Sequence, residues 1–157
     1  MKILFLVIGK TDERYLEDGL KKYVERLKHY VGLEMKVIPD IKNRKALSEE
    51  AQQEAEAQLI LAALQAGDSL VLLDEKGKQF HSRAFAAYLE KQMIRSVKRL
   101  VFVVGGPYGF AEAVYQRSAL KISLSPMTFS HQLVRLIFAE QLYRAFTIIR
   151  GEPYHHD

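Results

Sequence analysis

Cysteine is absent from the 157 residues. Disulfides and cysteine-ligated zinc sites are thereby excluded. Long apolar runs are missing as well. The one at the N-terminus, 3–8, is too short for a membrane span or a signal peptide, and no small-residue cleavage site accompanies it. A cytoplasmic protein with no membrane partner is the expectation. No segment is repeated, low in complexity or composed like a linker. Neither charge sign dominates: 23 Lys and Arg stand against 19 Asp and Glu, a net +4. That balance permits a polyanionic partner without requiring one. G-x-S-x-G and H-E-x-x-H are absent, and no nucleophile is paired with a base. His155 and His156 lack a third ligand at sensible spacing, so no metal is expected.

What is present is an ordinary globular composition, 48% hydrophobic and 27% charged. The length suits one domain over 1–157 with a sizeable core. The apolar run 2–8 reads as a strand buried on both faces. Further strands are expected at 33–38, 69–73, 99–104 and about 119–124. A first helix, capped by Thr11 or Asp12, puts Tyr15, Leu16, Leu20, Tyr23, Val24 and Leu27 on one face. A basic loop at 40–47 carries Lys42, Arg44 and Lys45. Ser48 opens a second helix that ends at Gly67. Ser82 caps a third, which buries Phe85, Leu89, Met93 and Ile94. The last helix runs from about Ser130 to Ile148. This alternation predicts an α/β fold, a mostly parallel sheet with helices on its faces. The last helix is apolar over most of its circumference, from Leu133 to Phe146. Such a helix is sunk in its own core or covered by a partner subunit.

The stretch from Gly105 to His131 is the candidate site. Gly105, Gly106 and Gly109 follow the fourth strand, and a second loop, 124–131, follows the fifth. Ligands of open α/β sheets bind at the carboxyl ends of strands. Glycine lets backbone come close to a ligand, and Ser and Thr add short polar groups. The two loops are read as one cofactor pocket. Gly9-Lys10-Thr11 is not a phosphate loop, because Leu4 stands where that motif needs its first glycine. A turn leading into a helix cap is expected there. The Gly105 loop lacks the G-x-G-x-x-G spacing of a dinucleotide site. His131 and Arg135 are four apart, as are Glu140 and Arg144. On so apolar a helix the second pair must emerge at an edge or point into a site.

Several blocks, taken in order, resemble one family. They are 101–109 (Val-Phe-Val-Val-Gly-Gly-Pro-Tyr-Gly), 124–131 (Leu-Ser-Pro-Met-Thr-Phe-Ser-His), Val134 with Arg135, 139–146 (Ala-Glu-Gln-Leu-Tyr-Arg-Ala-Phe) and the ending Gly-Glu-Pro-Tyr-His at 151–155. The opening strand with Gly9 and the block 73–78 agree. Together they are similar, over the whole chain, to the bacterial large-subunit ribosomal RNA methyltransferase H family of the SPOUT class. The resemblance implies a SPOUT-type α/β knot: about five mostly parallel strands, helices on both faces and a C-terminal trefoil knot. It also implies a homodimer whose active site uses both subunits, with S-adenosylmethionine (SAM) as methyl donor. The implied reaction is N3-methylation of a pseudouridine in helix 69 of 23S rRNA on the assembled 70S ribosome.

Carried over by position, the family's cofactor contacts fall on Leu73, Gly105, Gly106, Leu124, Ser125, Pro126, Met127, Thr128 and Phe129. His131, Arg144, Tyr154 and His155 match positions near methyl transfer. Arg135 matches a position near the RNA, and Lys42, Arg44 and Lys45 are expected to add grip. The base that removes the N3 proton is His131, His155 or water. Ser130 stands where the family usually has proline, and His156 where arginine is common. Two other readings stay open: a methyltransferase acting on another RNA such as tRNA, and a non-catalytic SAM-binding module on the ribosome.

Overall fold

The computed structural model describes residues 1–156. Five strands, β1 (Lys2–Ile8), β2 (Gly32–Ile38), β3 (Ser69–Gln79), β4 (Arg99–Val104) and β5 (Leu120–Ser123), form one sheet in the order β2-β1-β4-β3-β5. Every neighbouring pair is parallel. Four α-helices connect them, α1 (Arg14–Leu27), α2 (Glu49–Ala62), α3 (Ser82–Ile94) and α4 (Glu112–Arg117), and α5 (Leu133–Ile149) follows β5. A 3-10 turn, Arg44–Ala46, interrupts the basic loop.

The central runs 3–8, 70–72 and 100–104 are apolar and buried because both faces of the sheet are covered there, while the edge strand β2 is largely open to solvent. Alternate side chains of β1 serve two cores. Ile3, Phe5 and Val7 join residues of α1, α3 and α5. Leu4, Leu6 and Ile8 join Ala57 and Ile60 of α2 and Val114 of α4. Phe138 of α5 anchors the first core, its ring 5.0 Å from Phe5 and 4.8 Å from Phe102. Burial of one such side chain stabilises the fold by about 1.5–3 kcal/mol. Gly19 of α1 lets α5 approach, since a Cβ there would come within 3.1 Å of Leu136.

The α/β class, the five strands and the parallel sheet agree with the sequence reading. Local details differ. Glu13, not Thr11 or Asp12, precedes α1, and its side chain makes no cap. Ser48 does cap α2, accepting from the Ala51 amide at 3.1 Å. Ser82 is the first residue of α3, and His81 precedes it. Tyr15 is 68% and Ile94 77% exposed, because each lies at the end of its helix, beyond the sheet's cover. The sequence places α5 from Ser130, but 131–132 form a turn first.

The strongest departure is β3. It continues to Gln79, with a break in register against β5 between Leu73 and Lys78. The intervening residues bulge out at the carboxyl edge of the sheet, and bulges re-aim side chains in this way. Gly77 permits it. A Cβ there would lie 2.5 Å from the carbonyl carbon of Ile122, so only glycine fits against the β5 backbone.

Candidate functional site

All strands run the same way, so their carboxyl ends share one edge. The loops after β3, β4 and β5 meet there around a cleft of about 480 Å³. That volume is within the range of small-molecule sites. Its floor is apolar, made by Leu73, Val104, Phe110, Ile122, Leu124 and Val134. Its rim is polar, with Asp74, Ser125, Thr128 and His131.

Each wall has a local cause. After β4, Gly105 packs under Phe110, whose ring would be 3.1 Å from any added Cβ. Gly109 has φ +78° and donates its amide to the Gly106 carbonyl at 3.2 Å, closing a tight turn. Behind Gly106 lies the buried carboxylate of Glu56, which accepts from Gln52 Nε2 at 2.9 Å and from the Gly106 amide. Burial raises the Glu56 pKa, against the lowering effect of these bonds. The loop after β5 is organised by its serines. Ser123 Oγ donates to the Ser125 carbonyl at 2.9 Å, and Ser125 Oγ accepts from the Met127 amide at 2.9 Å. Ser130 Oγ accepts from the Leu133 amide at 3.1 Å and so caps the entry to α5. A proline at that position would lack the hydroxyl.

Of the nine expected cofactor residues, eight line the cleft, and Pro126 sits on the same loop with its side chain outside it. Met127 is 77% exposed and belongs to the rim. Backbone amides, short hydroxyls and an apolar floor suit a nucleoside-like ligand, and the glycines leave its backbone walls open to approach. The residues present therefore fit the methyl donor that the sequence resemblance implies.

Sequence reasoning missed Asp74 and Tyr115. Asp74 lies on the β3 bulge, where its Oδ2 accepts from Tyr115 Oη at 2.5 Å and its Oδ1 from the Lys76 amide at 2.8 Å. Burial, and then the Asp74 bond, pushes the Tyr115 pKa up to about 12, so its hydroxyl stays a donor at neutral pH. The block 73–78 was visible in the sequence, but nothing in it announced the bulge.

His131 lines the cleft where the chain turns into α5. Its pKa is lowered, first by burial and then by the charge of Arg135, so the neutral imidazole is favoured. Arg135 is not at the surface. It is 0% exposed, and its Nη2 donates to the Ile8 carbonyl at 2.5 Å. Its Nη1 donates to the Gly9 carbonyl at 2.9 Å and to Thr11 Oγ1 at 3.2 Å, and its Nε to the His131 carbonyl at 2.9 Å. The guanidinium ties the end of β1 to the start of α5, so the expected RNA contact is replaced by a structural clasp. Thr11 serves this clasp and not the helix cap.

Arg144, Tyr154 and His155 are elsewhere. Arg144 is eleven residues beyond Leu133, roughly 16 Å along α5 at 1.5 Å per residue. Its Nη2 and Nε donate to Glu140 Oε1 at 2.6 and 3.1 Å. Tyr154 Oη donates to the same oxygen at 3.1 Å, and its ring lies under the guanidinium, 4.8 Å from Cζ. Arg144 Nη1 donates to His155 Nδ1 at 3.3 Å, since arginine only donates. Within one chain, then, His131 joins the cleft while the other three form a second cluster where the tail folds back on α5. Lys42, Arg44 and Lys45 are exposed in the loop after β2, on the same edge as the cleft, with Arg44 paired to Asp40 at 3.2 Å. Among the described residues, no group of three or more His, Asp or Glu stands together as a metal site, and no helix is long and apolar enough to cross a membrane.

Comparison with known proteins agrees with this geometry. Residues 1–155 match the family model described as "Predicted SPOUT methyltransferase". A protein of Parabacteroides distasonis named Ribosomal RNA large subunit methyltransferase H is 64% identical over 157 residues, 100% of both chains. Proteins of the same name from Christiangramia forsetii and Bacteroides fragilis are 56% and 52% identical, covering 99% and 100% of each chain respectively. The chain belongs to the SPOUT methyltransferase family.

Proposed function

We propose that this protein is a SAM-dependent RNA methyltransferase that methylates N3 of a pseudouridine in helix 69 of 23S rRNA on the assembled 70S ribosome. It works as a single domain, paired with a second copy, in the cytoplasm where assembled ribosomes are found. The observation that carries the reading is the end-to-end likeness to relatives named for this class of reaction, joined to a cleft of fitting chemistry at the carboxyl edge of the sheet.

The donor supplies an electrophilic methyl group on a sulfonium. Leu73, Gly105, Gly106 and the loop 124–129 hold it, with backbone groups reading its polar edges. The chain's remaining task is to align the acceptor and accept its proton. His131 suits the second role. It lines the cleft, and its lowered pKa leaves the ring free to take a proton at neutral pH. His155 suits a different role. Its Nδ1 accepts from Arg144, so Nε2 carries the ring proton in the neutral form and offers a donor. Arg144, Tyr154 and His155 then stabilise the anionic base that forms as N3 loses its proton.

These two groups of residues are separated by most of α5 within one chain. The outer face of α5 carries Leu133 exposed and Ile137 and Ile148 only part-buried. Antiparallel pairing of α5 with its copy across a two-fold axis covers that face. It also carries each tail toward the partner's cleft. The experiment is methyl transfer from labelled SAM to 70S ribosomes lacking the modification, with 50S subunits, free rRNA and tRNA in parallel. Label on the helix 69 pseudouridine of 70S ribosomes supports the reading. Label on tRNA replaces the substrate, and SAM binding without transfer to any RNA overturns the catalytic reading.

A further inference from the structure

The tail that carries Tyr154 and His155 does not hang free of the fold. Gly151 turns it with φ +67°, its amide donating to the Ile148 carbonyl at 3.0 Å. The Glu152 amide then donates to the Thr147 carbonyl at 2.9 Å, and the Tyr154 amide to the Glu152 carbonyl at 2.9 Å. The chain is thus folded back along α5. Side-chain bonds fasten it to α1 and the turn beyond: the Tyr23 and Tyr154 hydroxyls meet at 3.5 Å, and a tighter bond follows. Tyr30, just beyond α1, donates its hydroxyl to Glu152 Oε2 at 2.5 Å, across 122 residues of sequence. Arg150 lies over the Tyr30 ring, 4.6 Å from its centroid, and donates to the His29 carbonyl at 3.3 Å. Tyr143 stands edge-on to both Tyr30 and Tyr154, with ring centroids 5.7 and 4.8 Å away.

We propose that Tyr30 and Glu152 are positioning residues: their bond docks the tail on α1 and α5, and so presents Tyr154 and His155 in one fixed arrangement beside Arg144. The inference rests on the methyltransferase reading above for its functional half. Its structural half stands alone. Four observations point the same way. The bond runs to a carboxylate and is charge-assisted, and such bonds are about twice as strong as neutral ones. It joins the two residues across most of the chain, so it restrains the tail against a rigid helix end. Glu152 is two residues from Tyr154, too close for the one to move without the other. The Tyr30 pKa is raised, first by the Glu152 bond, so the hydroxyl stays protonated and donating at working pH. A freely moving tail would lose conformational entropy each time it closed on substrate, and docking removes that cost beforehand.

The test uses the full-length protein and the variants Tyr30→Phe, Glu152→Gln, Tyr154→Phe and the double Tyr30→Phe/Tyr154→Phe. Tyr30→Phe keeps the ring and its packing and loses only the donor. Amide exchange over 151–155 should accelerate roughly tenfold in Tyr30→Phe, while exchange in β1 and β4 stays as in the parent. Methyl transfer should show kcat lowered about tenfold, with the KM for SAM unchanged. Glu152→Gln retains an acceptor oxygen and should recover most of the parent's turnover. The double variant should lose less than the product of the two single losses, because Tyr30 acts only through the tail that Tyr154→Phe already impairs. Multiplied losses in the double variant overturn the positioning role, and unchanged tail exchange in Tyr30→Phe overturns the anchor itself. If the parent transfers no methyl group to any RNA, the functional reading fails. The exchange measurement then decides the anchor alone.

Discussion

Arg135→Met separates a structural clasp from an RNA contact. The side chain makes four hydrogen bonds, three of them to the carbonyls of Ile8, Gly9 and His131. Methionine fills much of the space and donates nothing. Each lost bond to a charged donor costs about 1.5–3 kcal/mol. Removing a buried cation offsets part of this, because burying the charge was itself unfavourable. A net loss of about 3–5 kcal/mol results, which for a chain of this size lowers Tm by roughly 6–20 °C. The assay is thermal unfolding, paired with ribosome binding at several salt concentrations. A buried clasp predicts a large fall in Tm and a salt slope unchanged in the folded fraction. If Tm stays within ~2 °C of the parent while binding weakens and its salt dependence flattens, Arg135 is a surface contact and the clasp is wrong. Lysine should not rescue, since an ammonium cannot span three carbonyls and a threonine hydroxyl in one plane.

Three further outcomes are expected. Gly106→Ala places a Cβ 2.6 Å from Glu56 Oε2; a buried carboxylate must shift, costing about 1–3 kcal/mol, and SAM affinity measured by calorimetry should fall. Neutralising Lys42, Arg44 and Lys45 together should weaken ribosome binding and flatten its dependence on log salt by roughly 2; an unchanged slope means the loop is simply solvated. Asp68→Asn breaks the paired bonds from Arg99, at 2.8 and 2.5 Å, for a loss of about 3 kcal/mol in urea unfolding. Arg99 holds the Asp68 pKa below its ordinary 3.8. This stabilisation is present above that value and lost as pH falls through the folded pKa, so the gap between parent and variant should close in acid.

Much of the fold was legible in the residues. Continuous apolar runs such as 2–8 are what strands buried on both faces require, and the helices between them carried their own periodicity. The serine at 48 announced a cap and made one. Caps failed where a polar side chain had a competing use: Thr11 accepts from Arg135 rather than opening α1. Exposure at Tyr15 and Ile94 was misjudged because periodicity assigns a face without saying where the covering sheet ends. The glycines of 105–109 and the serine-rich loop after β5 pointed to a pocket because their chemistry is local. Backbone openness and short hydroxyls are properties of the residues themselves.

By itself, the sequence determined the α/β class, the number of strands and their order along the chain, the two loops of the cleft and the family. Each of these depends on composition over short windows or on blocks in order. Tertiary structure alone decided which residues act together. Arg135, four residues from His131 and charged, has the pattern of a surface cation. It is buried because three carbonyls converge on it from β1 and the turn before α5, and no local pattern encodes convergence. Asp74 reaches Tyr115 only because β3 bulges against β5, which Gly77 permits by having no side chain. Tyr30 meets Glu152 only because α1 and α5 pack side by side. The separation of His131 from Arg144 follows from the length of a straight helix.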